Sequence, residues 1–127
     1  MNPPTNITLS KNKKLLTVSF ENDNFDMSSE YLRVYSPSAE VRGHGPGQET
    51  LQLNKQNVTI NSLAPMGNYA IAIHFCDGHT TGIYSWSYLY HLGVDKDELW
   101  KDYCERVKNH NAKNSRGNQN YHEVSIK

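Results

Sequence analysis

The chain is short of most features that fix a protein's chemistry at sight. Its 127 residues include only two cysteines, Cys76 and Cys104. They lie far apart and form no C-x-x-C, which argues against a disulfide or zinc knuckle and for two free thiols in a reducing compartment. Charge of one sign is also lacking: 13 Lys and Arg balance 13 Asp and Glu. With no global field, and no like-charge block beyond Lys11, Lys13 and Lys14, nucleic acid and anionic lipid are not the expected partners. No run of about 18 apolar residues is available to span a membrane, and the opening MNPPTNITLS lacks the basic-then-apolar order of a secretion signal. The sequons at Asn6 and Asn57 therefore have no secretory context, and a cytoplasmic chain is expected. Hydrophobic residues make up 36% of the chain, which fits one modest core with polar loops.

What is present reads as alternating short strands and helices. Ile7 to Ser10 and Leu15 to Phe20 predict a hairpin turning at Lys11 to Lys14, followed by a polar link over Glu21 to Asp26. Ser28 or Ser29 caps a short helix that buries Tyr31, Leu32, Val34 and Tyr35 and is ended by Pro37. SPSAEVRGHGPGQ (36–48) is loop text, with Glu40 and Arg42 placed to tie it down. Its glycines predict positive φ; without a Gly-Lys-Ser/Thr ending and a following helix they are no phosphate cradle. Glu49 to Leu53 and Val58 to Leu63 are read as further strands.

The stretch Tyr69 to Gly93, YAIAIHFCDGHTTGIYSWSYLYHLG, carries the strongest signals. Tyr69 to Cys76 predicts a strand, and Asp77-Gly78 a two-residue type I′ turn, so that His79 to Tyr84 returns antiparallel. That register sets Cys76 opposite His79, His74 opposite Thr81 and Ile73 opposite Gly82, which puts His74, Cys76 and His79 on one face within about 5–8 Å. Ser85 caps a helix ending at Gly93, and Asp95 with Glu98 resembles a capping box opening a second helix with the stripe Leu99, Trp100, Tyr103, Cys104 and Val107. From 109 to 127 the text is polar and reads as a disordered tail, leaving residues 1–108 as the folded domain.

Three readings of His79 follow. It hydrogen-bonds the loop at Arg42 to Gly47 and ties it to the hairpin; it joins a metal site with His74, Cys76, Asp77 and His44, with zinc or iron as the ion; or it meets a partner protein. Cys76 opposite a histidine also suggests a reactive thiolate, although no third, orienting group stands out for catalysis. Tyr84, Trp86, Tyr88 and Tyr90 form an aromatic cluster in which at least one tyrosine is exposed. With Arg42, Trp86 and Tyr88 mark a protein-binding patch.

LRVYSPSAEVRGHGPGQ, then APMGNYAIAIHFCDGHTTGIYSWSYLYHLG and DELW, resemble the gamma-butyrobetaine hydroxylase-like N-terminal domain family over roughly residues 5–108. The resemblance implies an α+β domain of two layers, a mainly antiparallel sheet built from hairpins, a short helix after the first hairpin and two C-terminal helices. It also implies three settings: a small bacterial protein standing alone, an appendage of carnitine-pathway dioxygenases, and an appendage of Mrp-type iron–sulfur carrier ATPases. Dioxygenase chemistry does not carry over, because no His is followed two residues later by Asp or Glu. In the dioxygenases this domain holds zinc through three cysteines, in the segment matching Leu32 to His44, and the histidine matching His79. Here the histidine stands without the cysteines. The resulting expectation is a non-catalytic binding or accessory module that assists iron–sulfur or other metalloprotein assembly through a protein partner. Direct metal binding at His79 and an enzyme using Cys76 are the alternatives.

Overall fold

The computed structural model describes residues 1–126 apart from His44 and Pro46, with side chains as far as Lys113. Residues Met1–Lys96 form one compact unit and Asp97–Lys127 a second. In the first unit β1 (Asn6–Leu9), β2 (Leu15–Ser19) and β3 (Asn24–Ser28) form one antiparallel sheet. A second antiparallel sheet contains β4 (Ile60–Met66), β5 (Ala70–Phe75) and β6 (Gly82–Ser85). The α+β class is as expected, with two three-stranded sheets in place of one.

The first hairpin forms where the alternation places it, pairing Ile7 with Val18 and Leu9 with Leu16. Leu16 and Val18 are fully buried. The polar link expected after it is instead β3, paired through Leu16 with Met27 and Val18 with Phe25. Asn24, Asp26 and Ser28 hide a period-two pattern whose apolar members are Phe25 and Met27, and Asp26 accepts a cross-strand bond from Thr17 Oγ1 at 2.7 Å. Strand propensity is weak there, and pairing supplies what the residues lack.

Helix α1 (Ser29–Val34) starts as expected, with Ser28 Oγ accepting from the Tyr31 N–H at 3.0 Å. The loop text after it contains a short helix the composition concealed, α2 (Ala39–Arg42), capped by Ser38. Gly43 and Gly47 have the positive φ expected of that stretch. Glu49 to Leu53 is not a strand: the Thr50 N–H bonds Val41 O and the Gln52 side-chain amide bonds Thr50 O.

Strand β5 is the most enclosed element, with Ala70 to Ile73 and Phe75 all buried. Helix α3 (Trp86–Val94) is capped by Ser85, whose Oγ accepts from the Tyr88 N–H. Gly93 does not terminate it. It lies inside α3, and a Cβ there would stand 2.3 Å from the Phe25 ring, so glycine is required by the close approach of α3 to β3. Asp95 does not act as expected either; its carboxylate pairs with His91 Nδ1 at 2.9 Å.

Helix α4 runs from Lys96 to Ile126. In the second unit Trp100 and Tyr103 stack with ring centroids 5.1 Å apart, and Arg106 pairs with Asp102 at 3.2 Å. Cys104, expected on the apolar stripe, is exposed. The polar stretch 109–127, read from the sequence as a tail, continues α4 in the backbone to Ile126. From residue 114 its side chains lie outside the described residues.

Candidate functional site

The β5–β6 turn decides which side chains meet. The Gly78 N–H bonds Phe75 O at 3.2 Å, the Phe75 N–H bonds His79 O at 3.0 Å, and Gly78 has φ 87°. This is a three-residue loop, Cys76-Asp77-Gly78, with a left-handed glycine closing it, rather than the two-residue turn that Asp-Gly predicts. Phe75 therefore faces His79, while further along Ile73 faces Gly82 as expected. The extra residue is absorbed between His79 and Gly82.

That one-residue shift moves His79 to the opposite face from His74 and Cys76. His79 turns inward, 5% exposed, with its ring 6.1 Å from Phe75. His74 faces outward, and its Nδ1 is hydrogen-bonded with Ser62 Oγ at 3.0 Å. Cys76 is exposed, and its Sγ accepts from the Thr59 N–H at 3.2 Å. This contact lowers the thiol pKa from its ordinary value. The three side chains expected on one face are thus not brought together, and His44 lies outside the described residues. Among the described residues no group of three or more His, Cys, Asp or Glu is arranged to hold a metal ion.

What His79 does meet is a buried polar cluster. Its Nε2 lies 2.8 Å from Ser36 Oγ and its Nδ1 lies 3.5 Å from Glu40 Oε2. Ser36 Oγ also accepts the Ser38 N–H at 3.2 Å, and Ser38 Oγ lies 2.9 Å from Thr81 Oγ1. Burial, and then the Arg33 guanidinium, lower the His79 pKa, so the ring is neutral near pH 7. With Nδ1–H toward Glu40, Nε2 accepts from the Ser36 hydroxyl. Carboxylate, imidazole and hydroxyl stand in the order of a nucleophile-activating relay, but Ser36 is 1% exposed and its oxygen has no open side for a substrate.

Asp77 anchors the other side of the turn. Arg33 Nε and Lys55 Nζ each donate to its Oδ2 at 3.0 Å, and the His79 N–H donates to Oδ1 at 3.2 Å. Burial by itself would raise its pKa; the bonds from Lys55, the His79 N–H and Arg33 outweigh that and hold it down to about 2. The turn is thereby clamped to α1 through Arg33 and to the segment before β4 through Lys55.

Ser36, Ser38 and His79 come together where the resemblance implies zinc. The donor chemistry does not fit that ion: two hydroxyls stand where thiolates are needed, and they are spent on each other's segment and on the imidazole. A hydrogen-bonded polar network joins these segments instead. Sequence reasoning missed Arg33, Ser36, Ser38 and Lys55 as site members. The string L-R-x-x-S-P-S-A-E did carry Arg33, Ser36, Ser38 and Glu40 in order.

The aromatic patch also takes shape here. Arg42 stacks 4.8 Å over the Tyr88 ring, and the Tyr88 hydroxyl donates to Tyr35 O at 2.7 Å. Arg42 thereby ties the 36–48 segment to α3. Trp86 is half-buried and donates its Nε1–H to Asn68 O. Two clefts meet at Ser85 and Ser87, one beside Ile83 and Arg42, the other beside Tyr69 and Trp86. Tyr69 is 60% exposed and Ile83 43%.

Two small antiparallel sheets, a clamped His79 turn and an aromatic surface at the start of α3 define an α+β domain without the zinc-ligand set. Residues 7–90 match the family described as gamma-butyrobetaine hydroxylase-like, N-terminal, and the chain belongs to it. A protein known by an NMR solution structure is similar over 85% of this chain and 86% of its own, at 44% identity and a TM-score of 0.74. A crystal structure of a protein of unknown function from Acidithiobacillus ferrooxidans is similar at 30% identity, over 71% of this chain and 91% of its own, with a TM-score of 0.59. No curated protein matches the chain. No helix among the described residues is long and apolar enough to cross a membrane.

Proposed function

We propose that the chain is a small, non-catalytic, cytoplasmic binding module that assists iron–sulfur or other metalloprotein assembly by docking on the metalloprotein or on an Mrp-type carrier ATPase. The observation that carries this reading is the contrast in accessibility within the first unit. Ser36 and His79, the hydroxyl and imidazole that stand in relay order, are closed off, whereas Tyr69, Ile83 and the half-buried Trp86 and Tyr88 stand around two open clefts. Apolar and aromatic groups left at a surface beside polar ones are the ordinary composition of a protein contact. The metalloprotein part rests on the settings in which the family recurs.

Affinity capture from native lysate, quantified against a bead control, tests it. Enrichment of a metalloprotein or a carrier ATPase is the expected outcome. Capture that enriches neither class would remove the metalloprotein part of the reading.

A further inference from the structure

The outer edge of β6 is open. Trp86 N–H bonds Tyr69 O in the register of the β5–β6 ladder, so residues 84 and 82 also face β5 with their backbone groups, and the groups of Ile83 and Ser85 point the other way. Strand β6 is the last in its sheet, and among the described residues the Ile83 N–H and C=O have no backbone partner. A cleft of about 470 Å³ lies along this edge, bounded by Ile83 and Ser85 with Pro37, Arg42, Tyr88 and His91.

Charge selects the occupant. None of the cleft's lining residues is acidic, and Arg42, held over the Tyr88 ring, presents a permanent cation. His91 is already matched by Asp95. We infer that this edge accepts a short extended segment of a partner protein by strand addition, with a carboxylate side chain on that segment facing Arg42. Main-chain bonds to Ile83 supply the pairing, the exposed Ile83 side chain supplies apolar contact, and Arg42 sets the charge preference. The inference rests on the binding-module reading and names the chemistry of its partner.

The test is an amide NMR titration of the 15N-labelled full chain with a blocked pentapeptide alternating Val and Glu, set against its Val and Lys counterpart. The acidic peptide is expected to shift the Ile83 and Ser85 amides and slow exchange at Ile83, binding at least tenfold more tightly than the basic one. Arg42→Glu, checked for native amide dispersion, is expected to reverse that order. Ile83→Pro, which an edge strand tolerates because this N–H faces outward, should abolish binding by both peptides. Absence of shifts at millimolar peptide, equal binding of both peptides, or an order unchanged in Arg42→Glu would overturn the inference. So would concentration-dependent protection of Ile83 without peptide, which would mean that a second copy covers the edge. Lysate capture separates the two levels. A metalloprotein retained while peptides fail leaves the binding module standing without this site; peptides bound while no metalloprotein is captured leaves the site and removes the assembly role.

Discussion

The two faces of the β5–β6 turn carry similar side chains in opposite circumstances. On the inner face His79 is 5% exposed and held between Ser36 and Glu40. On the outer face His74 bonds Ser62 and Cys76 bonds Thr59, close to solvent. Residue type therefore says little about role here; one extra residue in the turn assigns one histidine to structure and leaves the other on the surface. On the inner face hydrogen bonds join the Ser36–Ser38 segment to the hairpin. Such a network holds its segments only while every member is satisfied.

The largest effect is expected from cutting the clamp that keeps the inner face closed. Arg33→Ala removes a 7% exposed residue and leaves Asp77 with Lys55 and the His79 N–H. Losing one partner of a largely buried pair destabilises by about 3 kcal/mol, to be read by urea denaturation. A change under about 0.5 kcal/mol, the range of ordinary surface substitutions, would show that the clamp is not holding the turn.

Next comes Gly93→Ala, which tests whether α3, and with it the open edge, is fixed by contact with β3. Helix propensity favours Ala by about 1 kcal/mol, but the Phe25 ring stands 2.3 Å from the new Cβ. Overpacking of about 1–3 kcal/mol should win, giving a net loss, and Phe25→Ala should make the same substitution less harmful. Strict additivity in that double-mutant cycle would mean that the two residues are not coupled.

Titration tests the burial of His79. The folded-state pKa of His79 is lowered, by burial first and then by Arg33, so the unfolded chain binds the proton more readily. Its contribution to stability is therefore present above the unfolded value, near pH 6.5, and is lost as pH falls through the folded value. Stability should drop between pH 7 and pH 5.5 with a slope of at most about 1.4 kcal/mol per pH unit for one proton, and His79→Asn should flatten it. A slope that survives undiminished in His79→Asn would show that the buried ring is not the titrating group. Asp77 adds a separate acid limb: its bonds stabilise the fold above the ordinary carboxylate range and are lost as pH approaches about 2.

The smallest effect concerns the outer face. The Thr59 N–H at Cys76 Sγ should make this exposed thiol react faster with a maleimide near pH 7 than Cys104. Equal rates would show that the contact does not persist in solution.

Much of the scaffold was legible because local chemistry specified it. Leu16 and Val18 alternate, Ser28 and Ser85 cap helices, and the Ile71, Ile73 and Phe75 side chains are buried as the pattern requires. Strand β3 and helix α2 were hidden because Asn24, Asp26, Pro37 and Gly43 are residues of turns, and only pairing with β2 and capping by Ser38 overrode that preference. The candidate site was half legible: Asp77, His79, Arg42, Trp86 and Tyr88 stood out as residues, but their contacts did not.

What the sequence by itself determined is the class of the domain, its family, the main hairpins and the absence of the zinc cysteines, all of which depend on residue identity and short spacing. Only the tertiary structure decided that His79 faces Ser36 rather than Cys76, that Gly93 serves packing rather than termination, and that Ile83 lies at an open edge beside Arg42. The physical reason is common to all three. A turn that is one residue longer, a ring lying against a helix and an unpaired strand edge are relations between segments far apart in the chain, and no local pattern records them.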